Sequence, residues 1–356
     1  MVLPVILATM PPEAAQPPLR LALDHRALIA NWRTLDRLSG SARAGAAVKA
    51  DGYGIGARRV VAALAGAGCR DFFVAYSSEA ADLAGLANPA SISVLHGPLS
   101  AADARYMQQT RLRPVINSLS QARLWLDAGG GICDLMVDTG INRLGLSIAD
   151  LGDPLMARLD VQVLMSHLAS ADEDSGQNEV QRRRWQEARG QIRARETSLA
   201  NSAGIMLGSA YHGDLTRPGL SLYGGIPRAD LAQHIAPVIQ PQAAILQVRD
   251  LAAGESVGYN ATYIAASPKR VGIVALGYAD GYLRAWSGKG MMRHGEAALP
   301  VLGRVSMDMT VIDLSAAPQL RAGDWLDLAY SLPEAAGETG LSQYELLTLL
   351  GHRFAR

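Results

Sequence analysis

The feature that most constrains this chain is a lysine between a short apolar run and a glycine-rich stretch. Residues 46–48 are Ala-Ala-Val, Lys49 follows, and Gly52, Gly54 and Gly56 come within the next seven residues. An apolar run bounded by turn residues predicts a buried strand, and the glycines predict the turn that leaves it. The lysine then ends a strand, where it either extends its amine to solvent or is a desolvated, reactive amine that can bond to an aldehyde.

Short apolar runs alternate with helical stretches over the first two thirds of the chain. Helical patterns occupy most of the gaps, for example 58–64 and 79–86, and another precedes the first run at 21–38. Near-continuous apolar strands that alternate with helices indicate parallel strands buried on both faces. We therefore predict a (β/α)8 TIM-like barrel, with an open doubly wound sheet as the alternative. The eight predicted strands are 46–48, 72–76, 92–95, 114–116, 135–137, 161–165, 199–200 and 219–222.

The pattern changes after about residue 240, where helical gaps disappear until 342–350. The β-like runs there predict a second, smaller and mostly β domain; they are 257–263, 270–276, 300–302, 309–314 and 325–328. We divide the chain into a proline-containing N-terminal leader (1–20), a barrel (21–240) and a C-terminal β domain (241–356).

Composition excludes several classes of function. The 33 basic and 33 acidic residues balance, and the arginine-rich segment 182–195 has the spacing of a solvated helix face, so nucleic acid is not an expected partner. Cys69 and Cys133 stand alone, which predicts neither a disulfide framework nor a metal site. No apolar run approaches the length of a membrane span. We expect a cytoplasmic protein without a metal.

Polar residues follow the predicted strands, and active sites of such barrels lie at the carboxyl ends of the strands. Ser202, together with free N–H groups around Gly219 and Leu220, would cradle a phosphate, to which Tyr53 could donate its hydroxyl. A cofactor that has both a phosphate and an aldehyde, and that a lysine holds, is pyridoxal 5′-phosphate (PLP). Taken singly, these residues have simpler explanations; Ser202, for instance, could cap a helix.

These motifs resemble those of the alanine racemase family over nearly the whole chain from about residue 21. The resemblance implies a barrel plus a C-terminal β domain, a head-to-tail homodimer, and PLP-dependent interconversion of L- and D-alanine by an isomerase. The matching segments are 47–54, 137–145, 166–172, 201–204, 217–220, 258–263, 277–281 and 303–308.

The resemblance also implies roles for individual residues. Lys49 would hold PLP and act as one catalytic base, and Tyr259 of the partner subunit would be the other. Arg217 would face the pyridine nitrogen, where a guanidinium can donate a hydrogen bond but not readily a proton. His167 would link Arg217 to Tyr259.

On the same resemblance, the phosphate would be held by Tyr53, Ser202 and the backbone of Gly219 and Leu220. Arg143 would contact the phenolic oxygen of the cofactor and the carboxylate of the substrate.

Three residues of the second domain complete the implied site. Met307 would offer its backbone N–H to the substrate carboxylate, and Tyr278 would narrow the entrance. Asp308 would lie next to these residues without touching the substrate.

The sequence departs from the family pattern at three positions. Many members have a carbamylated lysine seven residues before the position of Arg143, where this chain has Met136. Ser306 replaces a common cysteine, and His352 stands where some members have a C-terminal tyrosine that helps to bind phosphate.

Several alternatives remain open at this point. A racemase of broader specificity that also turns over serine would use the same fold. An amino-acid decarboxylase is disfavoured by Arg217, since such enzymes place an acid opposite the pyridine nitrogen. A non-catalytic PLP-binding protein is disfavoured by Tyr259, since it needs no second base. The enzyme could serve D-alanine biosynthesis, in which D-alanine is a peptidoglycan precursor. It could instead serve D-alanine catabolism.

Overall fold

The computed structural model describes residues 17–355, which form two compact units. One unit contains residues 22–240 and 329–350, and the other contains 241–328 with both ends of the described chain. The sequence-based division placed 329–350 in the second domain, whereas here this segment packs with the first unit. Most of the predicted leader, residues 1–16, lies outside the described residues.

The first unit is built on a parallel sheet that closes into a barrel. The short strand Leu215–Thr216 pairs in parallel with Arg43–Ala44. Its flanking residues bond to the seventh strand through Asp214 N to Thr197 O (2.8 Å) and Arg217 N to Ala200 O (2.8 Å). The seven strands of the sheet are Ala46–Ala47, Phe72–Val74, Ile92–Val94, Arg113–Ile116, Ile132–Met136, Asp160–Met165 and Ala194–Ser198. The predicted TIM-like barrel is confirmed.

The predictions for the last two strands are wrong in position. The seventh strand is Ala194–Ser198 rather than 199–200, and its polar side chains concealed it: Arg195 pairs with Asp160 (2.6 Å), and Glu196 pairs with Arg43 (2.7 Å). The eighth strand precedes the predicted segment 219–222, most of which lies in the 3-10 turn Leu220–Tyr223.

Helices connect most of the strands. The helix that precedes the barrel strands begins at His25 rather than at residue 21, because the Asp24 carboxylate accepts from the N–H groups of Arg26 and Ala27 and caps it. Residues Leu19–Leu23 before it form a strand. The helices of the first unit are His25–Leu38, Ala57–Ala67, Ser77–Ala81, Ala101–Thr110, Leu119–Asp127, Gly176–Gln191, Leu332–Thr339 and Gln343–Thr348.

The second unit is mostly β, as predicted. Its core is a closed antiparallel ring in which the first strand pairs with both the second and the last. In ring order the strands are Ile239–Leu251, Lys269–Val274, Thr310–Asp313, Ala297–Leu302, Met291–His294 and Trp325–Leu328. The sequence analysis missed Ile239–Leu251 and Met291–His294, which mix polar with apolar residues. Within the described range, none of the helices has the length and apolarity that crossing a membrane would need.

Candidate active site

A cavity of about 670 Å³ opens where the barrel strands end. The barrel residues singled out from the sequence all line it. These are Lys49, Tyr53, Arg143, His167, Ser202, Arg217, Gly219 and Leu220. They come from five different strand ends, so closure of the barrel is what brings them together.

Lys49 enters the cavity from an unusual backbone turn. The first strand ends at Ala47, and after Lys49 the chain adopts left-handed φ angles at Ala50 (53°), Asp51 (52°), Gly52 (64°) and Tyr53 (56°). Burial is the main effect that lowers the pKa of the Lys49 amine, and the charge of Arg143 lowers it further. An amine with a lowered pKa is available as a nucleophile or base nearer neutral pH.

In the same cavity as Lys49, Ser202 and Gly219 form a small cradle. The Ser202 Oγ accepts from the N–H of Gly219 (2.9 Å) and from the N–H of Ser221 (3.3 Å). The sequence analysis expected a free N–H at Gly219. In the structure this N–H donates to Ser202 instead. The Tyr53 hydroxyl lies so close to Gly219 that any side chain at this position would overlap it. Glycine, which has no side chain, thus lets the Tyr53 hydroxyl lie directly against the backbone of the cradle.

Arg217 is buried and held by neighbouring strand ends. Its guanidinium donates to the Ser198 Oγ (2.5 Å) and to the carbonyl oxygen of Ser166 (2.5 Å). Burial lowers the pKa of Arg217 to about 10, while the charge of Asp134 opposes that effect. The group therefore remains a charged donor at neutral pH in a fixed orientation.

His167 follows the sixth strand and faces three cationic side chains. Burial, followed by the charges of Arg217, Arg143 and Lys49, lowers the pKa of His167 to about 3. The imidazole is therefore neutral at physiological pH, and it can both donate and accept a hydrogen bond.

The loop that carries Arg143 is held by hydrogen bonds from its backbone N–H groups. The Asp138 carboxylate accepts from the N–H groups of Gly140 (2.7 Å), Asn142 (3.2 Å) and Arg143 (3.0 Å), which folds this loop over the strand end. Met136 lines the cavity, at the position where the sequence resemblance implied a carbamylated lysine. Its thioether cannot carry a carbamate, so Asp138 is the anchor of this loop that the structure reveals.

A tyrosine that the sequence analysis missed also lines the cavity. Tyr344 lies on the helix Gln343–Thr348, and its ring centroid is 6.2 Å from that of Tyr53. The sequence analysis placed His352 where the resemblance implies a C-terminal tyrosine that helps to bind phosphate. In the structure His352 belongs to the second unit. The capping box of Ser342 and Glu345, which starts the helix, was the sequence signal for its position.

Two further lining residues were also missed. His96 and Gln121 border the cavity, and Gln121 donates to the carbonyl oxygen of His96 (2.7 Å). Both follow predicted strands, so a search of all eight strand ends would have found His96.

The remaining predicted residues belong to the second unit, where two loops adjoin. Tyr278 N donates to the carbonyl oxygen of Ser306 (3.0 Å), next to Met307. Asp308 pairs with Arg353 (2.8 Å). Tyr259 and Met307 expose 63% and 53% of their surface, which is unusual for such large apolar side chains.

We expect the His167 imidazole to remain neutral between about pH 5 and 8, although a free histidine titrates near 6.5. The check is a pH titration of side-chain ¹⁵N resonances, with the His167→Gln variant used to assign the signal. Because the unfolded chain takes up this proton and the folded chain does not, His167 should also reduce folding stability as the pH falls from about 6.5 toward 3. A titration midpoint near 6.5 would contradict the described environment.

Comparison with known proteins agrees with this architecture. Residues 23–227 match the alanine racemase N-terminal domain, and residues 238–356 match the alanine racemase C-terminal domain. The chain is 41% identical to the biosynthetic alanine racemase of Agrobacterium fabrum, over 96% of this chain and 94% of that one. It is 40% identical to the alanine racemase of Acidiphilium cryptum, over 94% and 97%.

Solved structures give the same result. Alanine racemase from Bartonella henselae, with covalently bound pyridoxal phosphate, superposes with a TM-score of 0.87 at 32% identity, covering 95% of this chain and 99% of that one. Biosynthetic alanine racemase from Pseudomonas aeruginosa gives 0.87 at 36% identity, covering 96% and 99%. With both domains matched over nearly their full length, the chain belongs to the alanine racemase family.

Proposed function

We propose that this chain is a PLP-dependent racemase that interconverts L-alanine and D-alanine. The observation that carries the proposal is a single cavity that contains both the half-buried Lys49 amine and the hydrogen-bonding cradle of Ser202 and Gly219. The relatives named above are alanine racemases, and the one from Bartonella henselae holds pyridoxal phosphate covalently.

The cavity residues fit both ends of PLP. Lys49 can bond to the aldehyde, because the lowered pKa leaves more of its amine unprotonated. The hydroxyls of Ser202 and Tyr53 and the backbone N–H of Leu220 can donate to the phosphate, while the Gly219 N–H donates to the Ser202 Oγ and so positions that hydroxyl. The absence of a side chain at Gly219 lets the Tyr53 hydroxyl approach this backbone, where a phosphate could accept from it. Tyr344 offers a further hydroxyl at the same cavity.

When bound, PLP withdraws electrons from the α-carbon of the substrate and makes its hydrogen acidic. Arg217 would face the pyridine nitrogen and donate a hydrogen bond to it. Since its pKa of about 10 keeps it charged and its N–H groups are fixed by Ser198 and Ser166, it would not readily hand over a proton. This feature supports racemisation over decarboxylation, which typically uses an acid at that position.

Racemisation requires a base on each face of the α-carbon, because the proton removed from one face must be returned to the other. Lys49 Nζ would serve one face and Tyr259 Oη of the partner subunit the other. His167 would connect Arg217 to that tyrosine. As a neutral imidazole it can accept from one group and donate to the other without adding a charge.

The substrate carboxylate would be held from two sides. Arg143 would pair with it, its backbone fixed by the Asp138 carboxylate. The Met307 N–H would donate to it, with Asp308 behind, and Tyr278 would narrow the entrance. A small entrance and a cationic contact together favour a short amino acid such as alanine.

We propose that the chain works as a homodimer in which each subunit completes the site of the other. Exposed apolar side chains on the second unit support this proposal, because a monomer gains nothing from exposing them. They are Leu246 (49%), Tyr259 (63%), Ile264 (61%), Met307 (53%) and Met309 (45%).

The relative from Agrobacterium fabrum is named biosynthetic. This name supports a role in supplying D-alanine as a peptidoglycan precursor, and we place the enzyme in the cytoplasm. Cys69 and Cys133, both buried as free thiols, are compatible with that reducing compartment.

Replacing Lys49 tests the function directly. The chain has three lysines, Lys49, Lys269 and Lys289, so a labelled peptide is assigned without ambiguity. Borohydride reduction of the PLP-loaded protein should fix the cofactor to the Lys49 peptide, and Lys49→Ala should lower alanine racemisation by at least about 100-fold, as expected for losing an acid–base group. Lys289→Ala is the matched control and should keep its activity. The same assay with serine as the substrate tests the alternative of a broader specificity. A cofactor fixed to another lysine would refute the assignment.

Replacing Tyr259 tests the division of work between the two bases. Tyr259→Phe removes only a hydroxyl, so the fold should survive while racemisation falls in both directions. In heavy water we expect the variant to keep exchanging the α-hydrogen of D-alanine through Lys49, and to exchange that of L-alanine about 10²–10⁴-fold more slowly. Mass spectrometry of recovered alanine measures both rates. Equal residual exchange from the two enantiomers would rule out a two-base mechanism.

A further inference from the structure

A glutamate outside the cavity lining joins two strand ends of the barrel. Glu79 lies on the short helix Ser77–Ala81, just after the second strand. One oxygen of its carboxylate accepts from the N–H of Ala50 (2.8 Å). The other accepts from the N–H of Ala75 (2.7 Å) and, at longer range, of Tyr76 (3.4 Å). The carboxylate therefore spans the loops that leave the first and second strands.

The loop that Glu79 holds is the left-handed turn after Lys49. Ala50, Asp51 and Tyr53 all have positive φ angles, a conformation that is unfavourable for residues other than glycine. The turn has internal hydrogen bonds from Gly52 N to Val48 O and from Gly54 N to Ala50 O, both 2.8 Å. The Ala50 N–H, at the start of the turn, donates to Glu79, which is thus the side chain that anchors this end.

The two ends of the turn carry the groups that the cavity uses. Lys49 precedes Ala50, and Tyr53, whose hydroxyl lies against Gly219, is the last residue of the left-handed run before Gly54. A change in the Ala50 peptide plane would rotate the attachment of Lys49 and shift Tyr53 away from Gly219. Glu79 is also the acidic group whose charge acts on the Lys49 amine, against the effect of Arg143.

We propose that Glu79 is a positioning residue for cofactor binding: by tying the Ala50 N–H to the end of the second strand, it holds the turn that presents Lys49 and Tyr53. The proposal rests on the proposed function, in which Lys49 bonds to PLP. Glu79 touches neither cofactor nor substrate in this role; it acts through the backbone of the turn.

Two substitutions separate the parts of this interaction. Glu79→Gln keeps the length of the side chain but sets an NH₂ group against one of the backbone N–H donors, so that the bridge is broken at one end. Glu79→Asp keeps the charge but is too short to span both loops. Glu187→Gln is the control, because it removes the same charge from an exposed position on the helix Gly176–Gln191 of the same unit.

Hydrogen exchange and cofactor retention are the two measurements. In both Glu79 variants, amide exchange in a peptide covering 49–56 should speed up by about ten-fold or more, since a hydrogen bond to a charged acceptor is lost. PLP should also leave the holoenzyme on dialysis about ten-fold faster or more, followed by its visible absorbance. Thermal unfolding and exchange elsewhere in the barrel should match the Glu187→Gln control, a separation that a general loss of stability would not produce.

Unchanged exchange in 49–56 in both variants would overturn the proposal, and so would faster exchange with wild-type retention of PLP. If Glu79→Gln does not fold, Glu79→Asp decides the question alone. Failure of the proposed function is distinct, because it would show in the wild-type protein, which would then retain no PLP on Lys49.

Discussion

The site depends on the hydrogen bonds that close the parallel sheet of the first unit. Gly45 N donates to the carbonyl oxygen of Thr216 and Ala47 N to that of Pro218, both at 2.9 Å, so the last strand returns to the first. This closure makes Lys49 and Arg217 neighbours around one opening, although 167 other residues separate them in the sequence. Parallel strands direct all their carboxyl ends to the same side, and the cavity is the result.

The cavity collects positive charge. Lys49, Arg143 and Arg217 all line it, and together with burial they lower the pKa of His167. Such a cluster favours an anionic ligand, because like charges repel more strongly where water is excluded. A phosphate at the Ser202 cradle and a carboxylate beside Arg143 would offset this repulsion. The charges that line the cavity thus favour the same ligands as its hydrogen-bonding groups do.

The sequence predicted the barrel, most of its strands and the residues that meet in the cavity, because apolar runs and the residues after them are local features. Prediction from the sequence failed for segments whose position is set by contacts between residues far apart in the chain. Ala194–Ser198 was missed because Arg195 and Glu196 become acceptable in a strand only through their partners Asp160 and Arg43. Tyr344 was missed because its place depends on Gln343, which bonds to both the N–H and the carbonyl of Ile226, 117 residues away.

The left-handed turn after Lys49 shows the same limit. Glycines at 52 and 54 indicated a turn, but only the structure shows that Ala50, Asp51 and Tyr53 share its handedness. The energetic reason lies in Glu79 and in the cavity contacts, which no short stretch of sequence contains. Met136 is the opposite case, since its identity alone excluded a carbamylated lysine, and the structure supplied the Asp138 anchor of Arg143.

The central claim is that a complete site takes Lys49 from one chain and Tyr259 from another. Mixing Lys49→Ala chains with Tyr259→Phe chains, each inactive alone, tests it most directly. Full exchange of equal amounts makes half of the dimers mixed, each with one intact site, so racemisation should recover to about a quarter of the wild-type rate. No recovery, with mixed dimers demonstrated by native mass spectrometry, would contradict the account.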